Sequence, residues 1–138
     1  MAAKKNRYIP KAFESSKGKG DTSANIYITM LVSAAWNDLN SSAKVLYVCM
    51  KSQYYGAGQA KEKSSVTGET VVYDDDCFFF NRSLAREKFN MKNPTQLAKD
   101  IKALVDHGFI QVVKNGYATK TKSIYRLSAD WQQWEKKP

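Results

Sequence analysis

The strongest hydrophobic pattern of the chain lies in its second half and predicts a short helix followed by a turn. Leu84, Ala85 and Phe89 fall on one side of that helix, and Asn81 stands at its start. An Asn side-chain oxygen at such a position accepts a backbone N–H that has no partner inside the helix. The helix is expected to end at the turn Asn90–Lys92, where the Met of the turn fills the angle to the next helix.

A longer amphipathic helix follows the turn. Its apolar stripe, at spacings i, i+4, i+7 and i+8, consists of Leu97, Ile101, Leu104 and Val105. Its start is marked by Asn93 as the cap, Pro94 at the first helical position and Gln96 as the second member of a capping box. Its end is marked by His107 in the last turn and by Gly108 as a left-handed stop.

Three apolar runs of strand type complete the second half. Cys77–Phe80 precedes the helices, and Phe109–Val113 and Ser123–Leu127 follow them, separated by a turn at Asn115-Gly116. This order of elements predicts a winged helix-turn-helix. The expected fold class is α+β, with about four helices and a small three-stranded antiparallel sheet.

The first half predicts supporting helices. Ile26–Ile28 is expected to be extended and to lead into a helix from about Thr29 to Leu39. A second helix is expected from the cap at Asn40 or Ser41 to a stop at Gly56. Its buried positions at helical spacing are expected to be Val45, Leu46, Cys49 and Met50.

The polar segments define the domain organisation. Residues 1–22 are basic, polar and rich in small residues, which predicts a flexible N-terminal arm. Contact with DNA and simple solubilisation are both open as its role. Residues 23–138 are expected to form the winged-helix domain, with a mobile loop at 57–76 because that stretch has no periodicity. The acidic run 74–76 within it lacks the ligand spacing of a calcium loop, so a solvated acidic turn is favoured.

Composition and charge then narrow the function. Lys and Arg number 22 against 13 Asp and Glu, for a formal net charge of +9, which favours a polyanionic partner. No apolar run approaches the roughly 20 residues that span a bilayer, and the N-terminus lacks the apolar core of a secretory signal. Cys49 and Cys77 form no CxxC pair, so neither a metal site nor a disulfide framework is expected. No cofactor is expected either. These features predict a cytoplasmic protein that binds nucleic acid rather than a membrane.

Double-stranded DNA is the expected partner because the cations concentrate on the second helix and the hairpin. Gln pairs bidentately with adenine, Lys reaches guanine acceptors, and a Thr methyl touches the thymine methyl. No acidic residue lies between Gly108 and Ser128, whereas a merely soluble hairpin usually mixes both signs. A surface helix with ordinary solvated charges is the alternative for the helix. The predicted DNA contacts are Arg82, Arg86, Lys92, Asn93, Thr95, Gln96, Lys99, Lys102, Lys114, Asn115, Tyr117, Lys120, Thr121 and Lys122.

Enzymatic activity is not expected. The sequence shows no pair of catalytic carboxylates, no glycine-rich phosphate loop and no Cys/His arrangement. His107 is the only histidine, and no base or nucleophile partner for it is visible in the sequence. Trp131 and Trp134 are expected to lie on one face of a short turn and to pack on the core.

The stretches SAAWNDLNSSAKVLY, ALVDHGFI and TKTKSIYRLSADW resemble small winged-helix proteins of Gram-positive plasmids and conjugative elements. The similarity runs from residue 28 to residue 134. Relaxosome accessory proteins and the DNA-binding domains of plasmid replication initiators show similar patterns. The resemblance implies a cytoplasmic protein of a mobile element that recognises repeated sites in double-stranded DNA, at an origin of transfer if it is the accessory type. It also implies wing contacts from Lys114, Asn115, Tyr117, Lys120 and Lys122.

Several alternatives stay open at this point. A plasmid replication or transcription regulator would show the same fold and charge. An adaptor that uses the winged helix to bind a protein without reading DNA is also open. A relaxase or a replication protein is a further candidate partner, and the oligomeric state is not determined.

Overall fold

A computed structural model describes residues 9–57, 61–63, 67–74, 76–114 and 123–136. Along the chain it shows short helices, then a helix pair and a three-stranded sheet. The helices are α1 (Ile28–Leu31), α2 (Ala34–Asp38), α3 (Ser41–Ala57), α4 (Arg82–Phe89) and α5 (Pro94–Asp106). The strands are β1 (Lys61–Lys63), β2 (Thr70–Val72), β3 (Cys77–Phe79), β4 (Ile110–Lys114) and β5 (Ile124–Leu127). The fold is therefore α+β, and the predicted class is confirmed. None of the described helices is long and apolar enough to cross a bilayer.

The predicted helix from Thr29 to Leu39 is wrong, because it is two helices broken at Ser33. Ser33 is extended, with φ −70° and ψ 153°, and its Oγ accepts the Trp36 N–H at 3.2 Å as the cap of α2. The same hydroxyl donates to the Met30 carbonyl at 2.7 Å, which closes α1. One serine thus ends one helix and begins the next, which is why the described residues contain five α-helices rather than about four.

Helix α3 begins where it was predicted, since Asn40 Oδ1 accepts the Ala43 N–H at 2.9 Å. It continues one residue past the predicted stop at Gly56. Leu46 and Met50 are fully buried, whereas Val45 is 55% exposed and was wrongly placed in the core. Val45 instead lines a surface pocket between α3 and α5.

Helices α4 and α5 follow each other with a short turn between them, and each begins at its predicted cap. Asn81 Oδ1 accepts the Leu84 N–H at 2.8 Å, and Asn93 Oδ1 accepts the Gln96 N–H at 3.1 Å. Between the helices, Asn90 takes the left-handed conformation with φ 59°. Met91 packs against the core as predicted. Asn tolerates this backbone conformation better than most residues, which makes the sharp change of direction possible.

The sheet has the strand order β3-β5-β4 and is antiparallel throughout. Helix α5 leads into β4 through Gly108, and β5 returns between β4 and β3. The registers pair Phe78 with Tyr125 and Ile110 with Leu127. The helices and this sheet share one hydrophobic cluster.

The segment 57–76 is not a loop throughout, because it contains two of the strands. β1 and β2 pair antiparallel, with Lys61 opposite Val72 and Lys63 opposite Thr70. The β-branched run Thr70–Val72 has strong strand propensity, which the absence of longer periodicity concealed. The side chains of β2 are exposed.

The C-terminal segment packs back on the core. Trp131 stacks on Phe109 with ring centroids 6.0 Å apart, and Trp134 stacks on His107 at 4.6 Å. The Trp131 N–H donates to the Gly108 carbonyl at 3.0 Å. The prediction that these tryptophans pack on the domain is confirmed.

Gly108 provides a test of this packing. Its φ is +83°, and an added Cβ would lie 2.6 Å from Trp131 N and 2.7 Å from Asp130 C. We expect Gly108→Ala to lower the free energy of unfolding by roughly 1–3 kcal/mol, because both strain and backbone overlap oppose it. Urea denaturation is the measurement.

Gly20→Ala is the matched control, since a Cβ there meets no atom within 4 Å. Equal urea midpoints for the two variants would contradict the close approach of the tail to Gly108.

Candidate nucleic-acid interface

One stripe of α5 faces away from the core. Its members recur at helical spacing and are all exposed: Thr95, Ala98, Lys99, Lys102 and Asp106. Leu97 and Leu104, on the opposite side, are buried. The amphipathic pattern of the sequence therefore assigns the inner and outer faces of α5 correctly.

Lys102 is the one cation of this stripe with a carboxylate beside it. Its Nζ lies 2.6 Å from Asp106 Oδ2, and the two side chains are 76% and 54% exposed. An exposed i,i+4 pair of this kind is weak and screened by salt. Asp106 reduces the positive charge at the C-terminal end of the stripe. The N-terminal part, with Thr95 and the cation Lys99, is therefore the more positively charged part.

Gln96 does not belong to the exposed stripe, contrary to its prediction as a base-reading residue. Its Nε2 donates to Asp100 Oδ1 at 2.9 Å and to Ser42 Oγ at 3.3 Å. Asp100, one turn further along α5, is only 4% exposed and draws the amide inward. Gln96 therefore neither closes a capping box with Asn93 nor presents its amide for adenine.

The turn and α4 add further exposed cations. Lys92 is exposed in the turn, and Arg82 and Arg86 are exposed one helical turn apart on α4. Asn93 is exposed, but its side-chain oxygen is engaged in capping α5. Between residues 81 and 99 the cations are Arg82, Arg86, Lys88, Lys92 and Lys99, against the single carboxylate of Glu87. This helix pair is thus locally cationic.

The hairpin is described only at its base. Lys114 is half-buried at the end of β4 and pairs in register with Ile124 of β5. The predicted contacts Asn115, Tyr117, Lys120, Thr121 and Lys122 lie outside the described residues. Their role stays a prediction.

Arg126 of β5 is a further cation of the hairpin, and it has an acidic partner. Its Nη2 lies 2.9 Å from Asp74 Oδ2, in the acidic run that precedes β3. This acidic run therefore partly offsets the charge of the hairpin base.

A cluster around His107 was not visible in the sequence. His107 Nε2 lies 2.8 Å from Asp38 Oδ2, and Nδ1 lies 2.7 Å from the Ala103 carbonyl oxygen. The Asp38 carboxylate oxygen and the Ala103 carbonyl oxygen are both hydrogen-bond acceptors, so the ring lies between two acceptors. Lys136 Nζ lies 3.4 Å from Asp38 Oδ1. With both nitrogens engaged and the ring stacked on Trp134, His107 joins α2, α5 and the C-terminal segment.

The two cysteines are small buried or half-buried groups. Burial raises the pKa of the Cys49 and Cys77 thiols, which disfavours the reactive thiolate. Cys77 packs with Ile124 and with the partly buried Tyr73 and Phe79. In the described ranges, no three His, Cys, Asp or Glu side chains are grouped so that they could hold a metal ion.

Comparison of the chain with protein-family models, curated proteins and solved structures returns no match. The resemblance to winged-helix proteins of mobile elements accordingly stays an expectation.

The cluster of Asp38, His107 and Lys136 predicts a specific pH dependence. The hydrogen bond from His107, with a smaller contribution from Lys136, lowers the pKa of the Asp38 carboxyl. A carboxyl whose pKa is lower in the folded state stabilises the protein above its ordinary pKa, and this contribution is lost as the pH falls through the folded-state value. We expect Asp38→Asn to destabilise the protein above about pH 5, and the difference to shrink below about pH 4.

Thermal unfolding of both proteins from pH 2 to pH 7 measures the difference. Asp106→Asn is a control on the exposed surface, where the carboxylate has only the i,i+4 lysine. A difference between wild type and Asp38→Asn that is independent of pH would contradict the assigned ion pair.

Proposed function

We propose that the protein binds double-stranded DNA through the outer face of the α4–turn–α5 unit and the hairpin between β4 and β5. The observation that carries the proposal is the exposed cationic surface of that unit, formed by Arg82, Arg86, Lys92, Lys99 and Lys102. Neutralisation of phosphates by such side chains releases counterions and supplies most of the affinity of DNA-binding proteins.

The dimensions of α5 suit this role. Its 13 residues extend about 20 Å, and a single helix fits the major groove of B-form DNA. Thr95 and Lys99, in its first two turns, are the candidates for base contacts. Because Gln96 is turned toward Asp100, α5 offers few groups for base recognition. This favours a large share of the contact for the hairpin, where Lys120 and Lys122 lie.

The finer proposal is a relaxosome accessory factor that binds the origin of transfer of a mobile element in the cytoplasm. Its support is the resemblance of the stretches around Trp36, His107 and Trp131. A replication or transcription regulator remains the nearest alternative, because the same surface would serve it.

The packing of the two C-terminal tryptophans weakens the case for a protein-binding adaptor. Trp131 and Trp134 were the aromatic groups proposed for a protein partner, and they stack on Phe109 and His107.

Salt dependence and footprinting test the proposal together. If about six of the cations of the proposed interface neutralise phosphates, log affinity should fall with log salt at a slope of about −5. Fluorescence anisotropy with labelled duplexes measures the slope, and footprinting across the DNA of the protein's own element locates the site. Binding that ignores salt and does not prefer element DNA over scrambled duplex would rule out the proposal.

Two double variants test how much of the DNA-binding affinity comes from the hairpin. We expect Lys120→Ala/Lys122→Ala to weaken DNA binding at least as much as Lys99→Ala/Lys102→Ala, because Lys102 is already paired with Asp106. Each loss of one phosphate contact should also reduce the salt slope by about 1.

Lys61→Ala/Lys136→Ala is a charge-matched control, since both lysines are exposed outside the proposed interface. A larger loss from the helix variant than from the hairpin variant would reverse the assignment of the main contact.

A further inference from the structure

The first turns of α3 and α5 line a surface pocket beside the proposed DNA contact, and Lys92 belongs to both. Its volume is about 420 Å³, within the usual range for small-molecule sites. Its walls include the apolar side chains of Val45, Met91 and Leu97. Val45 is 55% exposed, so an apolar surface is open to a ligand there.

Asp100 is the polar group of this pocket. It is 4% exposed, and the hydrogen bonds from Ser42 and Gln96 both end on its Oδ1, at 2.9 Å each. Every fully enclosed side-chain nitrogen and oxygen of the described residues has a hydrogen-bond partner. No described residue donates to Oδ2, so this oxygen is not fully enclosed, and Asp100 is one of the residues that line the pocket.

The charge of the pocket selects the kind of ligand. A buried carboxylate is costly unless a cation or several donors pair with it. The N-terminal end of α3 offsets part of this cost at Oδ1, through Ser42 and the helix dipole. Oδ2 can be satisfied by a donor from outside, and an anion would be repelled there. Lys92 also lines the pocket and is exposed to solvent, so water screens its charge more than that of the buried Asp100.

We propose that this pocket binds an organic cation: an amidinium, guanidinium or ammonium group carried on a compact apolar body. The cationic group donates to Asp100 Oδ2, and the apolar body covers Val45, Met91 and Leu97. This site does not depend on DNA binding, and its test uses the protein alone. The same chemistry is offered by a free small molecule and by an arginine side chain of a peptide.

The test is a titration of the isotope-labelled full chain, followed by the amide resonances of Ser42, Leu97 and Asp100. The probes are benzamidine, its neutral isostere benzamide, and N-acetyl-arginine amide as the peptide-like source. We expect benzamidine to shift these resonances at a concentration roughly tenfold lower than benzamide, because hydrogen bonds between charged groups are the stronger ones. Binding of N-acetyl-arginine amide at least as tight as that of benzamidine assigns the site to a peptide side chain, and weaker binding assigns it to a small molecule.

Two variants separate the pocket from unspecific binding. Asp100→Asn keeps an oxygen for Ser42 and Gln96 and should abolish the tenfold preference for the cation. Lys92→Ala should increase benzamidine affinity by removing a like charge, and it does not disturb the buried network. Equal affinity for benzamidine and benzamide in the wild-type protein would overturn the proposal without any variant. Displacement of benzamidine by inorganic phosphate at constant ionic strength would overturn it as well.

Discussion

The structure depends on one aromatic cluster formed by Trp36, Tyr47 and Phe109. The ring centroids lie 5.2–5.8 Å apart, and Trp36 meets both partners edge to face. Such pairs contribute about 0.5–1.5 kcal/mol each beyond the burial of their area. The three rings come from α2, α3 and the residue that follows Gly108, and Trp131 covers Phe109 from the C-terminal segment. Because Phe109 lies three residues after the end of α5 and just before β4, this cluster fixes the position of α5 and of the hairpin that follows it.

Two sets of side-chain hydrogen bonds also attach α5 to the neighbouring helices. Near its start, Asp100 and Gln96 bond to Ser42 of α3, and at its end His107 bonds to Asp38 of α2. These hydrogen bonds fix the flanks of the helix, and the burial of Leu97 and Leu104 fixes its inner face. The only broad surface that α5 leaves to solvent is the stripe with Thr95, Lys99 and Lys102. Attachment and proposed function are therefore divided between opposite sides of one helix, and the pocket lies at the flank where the two meet.

The elements with local signals were predictable. Asn81 and Asn93 cap the helices that follow them, and Gly108 ends α5 with a positive φ, because each acts on backbone groups within three residues. Periodicity predicted the apolar stripe of α5, and residue type predicted the strand that begins at Cys77. Ser33 was missed because its apolar neighbours outweighed a single capping residue, although its hydroxyl ends one helix and begins another. The short pair of β1 and β2 was missed because three-residue strands leave little periodicity.

The sequence by itself thus determined the order of helices and strands from β3 onward, the inner and outer faces of α5, and an excess of positive charge that favours a polyanion. Only the tertiary structure decided which polar residues remain available for a ligand. Gln96 has a side chain suited to reading a base, but the buried Asp100 and the distant Ser42 hold it inward. His107 finds Asp38 across 69 positions of sequence. Side-chain partners of this kind depend on which segments pack together, and neither residue type nor spacing along the chain contains that information.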